Sequence, residues 1–109
     1  MEAVEPWTKK IVVFEKYDEL LERVLQIALE AVERPKGTDD DLKIFASRIA
    51  KLCLELEELE IPSDQISRVA TALRDFASQN KWPKRSIHEA MRQRLLRTAN
   101  TILCGEYRQ

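Results

Sequence analysis

Glycine is nearly missing from this 109-residue chain, which has only Gly37 and Gly105. Sheets and long loops use glycine for turns, so its scarcity argues against both and for helices joined by short links. A glycine-rich phosphate loop is excluded by the same count. Cysteine is nearly as sparse. Cys53 and Cys104 stand far apart and form no CxxC pair, so no zinc or thioredoxin-like motif is present. They read as reduced thiols of a cytoplasmic protein. His88 is the lone histidine. No apolar run approaches a membrane span: Ile11-Val12-Val13-Phe14 is a run of four, where about 20 residues are needed. The opening MEAVEPWTKK begins acidic and predicts neither a signal peptide nor an anchor.

Charge is abundant and unevenly placed. Charged residues make up 34% of the chain and the net charge is −1. Residues 1–63 carry 9 Lys/Arg against 15 Asp/Glu, and residues 64–109 carry 9 against 4. An acidic half joined to a basic half suggests attraction within the fold, between copies, or toward a partner.

Apolar spacing predicts four amphipathic helices, at about 7–34, 39–60, 64–79 and 87–103, in a single domain. The organising stripe is Leu42, Phe45, Ile49, Leu52, Leu56 and Leu59, at alternating steps of three and four. The first helix is expected to start after Pro6, although the β-branched Ile11-Val12-Val13 weakens that start. Arg34-Pro35-Lys36-Gly37 should end it. Thr38 is the expected N-cap of the second helix, with Asp39, Asp40 and Asp41 over the positive end of its dipole. Three consecutive carboxylates on a first turn diverge, so they do not read as a metal site. Ser63 should cap the third helix, and Ser86 with Glu89 should form a capping box on the fourth. Gly105 should end that helix. Short links make sequential helices antiparallel neighbours, so the expected fold is an all-α, antiparallel four-helix bundle. Periodicity of this kind is shared by many unrelated bundles and identifies no family.

Nothing in the chain carries a catalytic or metal-binding signature. His88-Glu89 continues Ala90-Met91-Arg92, so the HExxH zinc pattern fails. His88 falls in the apolar arc beside Leu95 and Ala99 and reads as a structural or interface histidine. Cys53, one step off the main stripe, should be buried and inert, and Cys104, near a helix C-terminus, is poorly placed as a nucleophile. The expectation is therefore a non-enzymatic chain with no cofactor and no metal.

The least ordinary stretch is Lys81–Arg97. It carries Lys81, Lys84, Arg85, Arg92, Arg94 and Arg97 against one acid, Glu89, with Trp82 among them. Guanidinium groups beside an aromatic ring suit phosphates and unstacked bases, and they suit carboxylate-rich protein surfaces equally well. Arg92 should point into the arc of Met91, Leu95, Ala99 and Leu103, where it needs an acid of the second helix or a partner. Arg94 and Arg97 should face outward. The expected role is a regulatory or assembly subunit that docks on another protein. The alternative is a nucleic-acid-binding subunit using the Lys81–Arg97 surface. No membrane partner is expected. A homodimer is, through the wide apolar faces of the first two helices.

Overall fold

The computed structural model describes residues 16–108, with side chains as far as Cys104. The described residues form four helices and no strand: α1 (Lys16–Val32), α2 (Asp39–Glu58), α3 (Ser63–Gln79) and α4 (Ser86–Arg108). The predicted start near Trp7 and the Ile11–Phe14 run lie outside the described residues. No helix among the described residues is long and apolar enough to cross a membrane.

Each helix forms for the reason its sequence suggests, with exceptions at the caps. Thr38 accepts the amide of Asp41 at 3.2 Å, so its hydroxyl satisfies one free donor of the first turn of α2. Ser63 does not cap α3. It is the first helical residue, and the Pro62 carbonyl takes the amides of Gln65 and Ile66 at 2.8 and 3.1 Å. The Ser86–Glu89 box does not form either. Glu89 reaches forward along α4 to Gln93 at 2.8 Å and Arg92 at 3.3 Å, and the Gln93 bond, followed by Arg92, holds its carboxyl below the ordinary range. Nor does Gly105 stop α4, which continues to Arg108. A glycine in a helix interior costs only about 1 kcal/mol relative to alanine, too little to end a helix without a second signal. Gly37 adopts no positive φ. An added Cβ would lie 3.4 Å from Arg34 and Leu42 atoms, in ordinary contact, so neither φ nor space demands glycine there.

The core draws on all four helices. Leu42, Ile49 and Leu56 of the α2 stripe are fully buried, whereas Phe45, Leu52 and Leu59 are half-buried at its edge. Cys53, off the stripe, is fully buried. The buried face is turned away from the simple three-four line because α2 packs on two helices, α1 on one side and α4 on the other.

Sequential helices are not all neighbours. α1 packs on α2, and α3 on α4, but among the described residues α2 and α3 do not approach each other. The α2–α3 link instead buries Ile61 in the core, and α3 begins beyond α4. Asp39 at the start of α2 meets Arg85 just ahead of α4, and Glu57 near its end meets Arg94 and Thr98 further along α4. These two packed helices therefore advance in the same direction, so neighbours are not antiparallel throughout.

Candidate interaction surface

Of the seven residues predicted to bind a partner or nucleic acid, Trp82, Arg85 and Arg94 are held by internal bonds. Trp82 leaves the end of α3 and folds back on it. Its indole N–H donates to the Ala77 carbonyl at 3.1 Å, and its ring meets Phe76 edge-on, with centroids 6.0 Å apart. The bond satisfies a carbonyl of the last turn of α3, which has no helical donor of its own. Trp82 as a whole is half-buried, which leaves less of its ring to stack on a base.

Arg85 ties the α3–α4 link to the α1–α2 link. Its guanidinium donates to the Gly37 carbonyl at 2.7 Å, to the Pro35 carbonyl at 3.3 Å and to the Asp39 carboxylate. A planar fork can reach all three at once, and a lysine ammonium cannot. Arg85→Ala is therefore expected to cost about 1–3 kcal/mol, with Arg85→Lys recovering only part. Urea unfolding followed by circular dichroism measures both, and a lysine variant as stable as wild type would remove the fork argument.

Arg94 and Arg92 exchange the roles expected of them. Arg94, expected to face outward, donates to Glu57 of α2 at 2.9 Å, and the two side chains keep only 16% and 14% of their surface. Thr98, fully buried, donates to the same Glu57 oxygen at 2.7 Å. Arg92, expected in the apolar arc, lies at its margin and pairs with Glu89 of its own helix. The difference comes from Thr98. A polar residue does not register as core in an apolar wheel, but it faces α2 and brings that edge of α4, with Arg94, into the interior.

Lys81, Lys84 and Arg97 are exposed and form no ion pair among the described residues. Of these three, only Lys84 lines the open hollow of about 720 Å³ that it shares with Trp82, Arg85, Arg92 and Glu89 among others. Glu89 in that lining opposes an anion there.

The remaining reactive groups serve the fold. His88 is fully buried, with Nε2 at 2.8 Å from the Ala31 carbonyl. That geometry makes Nε2–H the donor, and Nδ1 has no partner. Burial pushes the Cys53 thiol up, while Thr98 and Arg94 pull the other way less strongly. A buried thiol held in its neutral form is a weak nucleophile. Cys104 is exposed. Asp39 faces Arg85, and no group of three or more His, Cys, Asp or Glu side chains converges as metal ligands among the described residues.

Three large apolar side chains on the first two helices also remain exposed: Leu29, Ile44 and Leu54, at 42%, 53% and 50%. Between α1 and α2 runs a groove with Ile27 and Leu52 in its lining and Arg23, Arg48 and Lys51 around it. The readable signal is Ile44, an isoleucine on the flank of the α2 stripe, two turns before Leu52. No protein-family model, curated protein or solved structure matches the chain.

Proposed function

We propose that this chain is a non-enzymatic helical docking module, a regulatory or assembly subunit that binds another protein. The observation that carries this reading is the commitment of Trp82, Arg85 and Arg94 to internal bonds. These are the residues that would otherwise have gripped bases and phosphates, and without them the basic stretch keeps Lys81, Lys84 and Arg97, with Arg92 paired to Glu89. Exposed aliphatic side chains on α1 and α2 add to it, because apolar groups in a charged surface favour a protein partner over a phosphate backbone. In architecture, we take the chain as a four-helix bundle in which α2 and α4 are parallel neighbours and the α1–α2 and α3–α4 pairs antiparallel.

Nucleic-acid binding through Lys81, Lys84 and Arg97 is the reading to be tested against it. Fluorescence anisotropy with a nonspecific single-stranded oligonucleotide separates the two. The docking reading expects weak, non-saturating binding. Saturable binding that falls steeply with salt, and disappears in the Lys81→Glu/Lys84→Glu/Arg97→Glu variant without a change in melting temperature, would replace it with the nucleic-acid reading.

A further inference from the structure

The groove between α1 and α2 has a volume of about 480 Å³. Ile27 of α1 and Leu52 of α2, both half-buried against the core, line it. Ile44 lies one turn before Arg48 on the same side of α2, so its exposed side chain extends the apolar strip along the helix.

The charges around this strip, like Lys81, Lys84 and Arg97, are not taken up by acids of other elements. Arg68, Arg85 and Arg94 each hold a carboxylate of another element within 2.9 Å. Arg48 and Lys51 make no ion pair among the described residues. Arg23 has only a 3.9 Å approach to Glu19 between two exposed side chains, a contact contributing next to nothing. Three cations with their donors free therefore border an aliphatic strip, with Glu55 the one acid among them.

We propose that the α1–α2 groove docks an acidic amphipathic helix of a partner protein. Apolar side chains at helical spacing seat on Ile27, Leu52 and Ile44, and flanking carboxylates meet Arg23, Arg48 and Lys51. A nucleic acid fits less well. The strip presents aliphatic rather than aromatic surface, so bases have nothing to stack on, and Glu55 repels a phosphate. The proposal rests on the docking-module reading and assigns it a face.

A fluorescein-labelled peptide of leucine and glutamate, with leucine at helical i, i+3, i+4 and i+7 positions, tests it by anisotropy against the full chain. Saturable micromolar binding is expected. Arg48→Glu/Lys51→Glu should weaken it at least about tenfold, with unchanged circular dichroism, and amide shifts on binding should cluster around Ile27, Ile44 and Leu52. A peptide with the same composition in scrambled order should bind poorly. If the peptide binds but loses affinity only through Lys81→Glu/Lys84→Glu, the groove assignment is wrong while the docking reading stands. If only a single-stranded oligonucleotide binds, both fail. Light scattering that finds a dimer dissociated by Arg48→Glu/Lys51→Glu would also overturn the proposal, because the occupant would then be a second copy of the chain.

Discussion

Glu57→Ala is expected to be among the most damaging single substitutions outside the aliphatic core, at about 2–4 kcal/mol. Glu57 is the common acceptor for Arg94 and Thr98 across the α2–α4 contact. Removing it leaves a guanidinium with 16% of its side-chain surface exposed and a fully buried hydroxyl, both without that acceptor. Arg94→Ala should cost less, because Glu57 keeps the Thr98 bond. Arg94→Glu should cost more than Arg94→Ala, since it sets a second carboxylate against Glu57 where solvent screens poorly. The double replacement Glu57→Leu/Arg94→Met removes both charges and their desolvation together, and should recover most of the loss. Urea unfolding of wild type, Glu57→Leu, Arg94→Met and the double gives the coupling as a cycle, expected to exceed about 1 kcal/mol. An Arg94→Glu chain that melts at the wild-type temperature would mean that Arg94 faces solvent, as the sequence alone implies.

The four helices of the described residues were readable from sequence because apolar period and helix period are the same physical fact, but the end of α4 at Arg108 was not. Thr38 was readable as a cap because it bonds to an amide three residues away. The α2–α4 contact was not readable. It depends on a polar residue, Thr98, facing inward, and the hydropathy pattern scores such a residue as surface. Nor does the sequence show that the link after α2 carries the chain past α4 instead of folding α3 back onto α2. Short links favour adjacency, but Ile61 buried in that link stabilises the alternative. The basic stretch was visible as composition. Which of its residues point outward depends on long-range partners: Arg85 bonds to groups some 46 to 50 positions earlier in the chain. Charge runs near helix ends are therefore poor guides to a free surface until their internal acceptors are known. The α1–α2 groove is not legible in the sequence because Arg23 is far from Arg48 and Lys51 along the chain and meets them only when the two helices pack.

Replacing His88 separates volume from hydrogen bonding at the α1–α4 contact. The ring is fully enclosed, and its one bond, from Nε2 to the Ala31 carbonyl, ties α4 to the last turn of α1. That carbonyl also takes the Arg34 amide at 3.1 Å, so loss of the histidine does not strand it. Nδ1 meanwhile is buried with no partner, which already costs wild type on the order of 1–3 kcal/mol. His88→Ala removes the bond and opens a cavity, and should destabilise by about 2–4 kcal/mol. His88→Leu loses the same bond but fills most of the space and removes the unpaired nitrogen, so it should cost less than about 1.5 kcal/mol. Urea midpoints at constant m-value give both numbers. Equal losses for alanine and leucine would assign the role of His88 to its hydrogen bond alone. An alanine variant as stable as wild type would instead show that the site collapses without cost, and that His88 contributes nothing to holding α4 on α1.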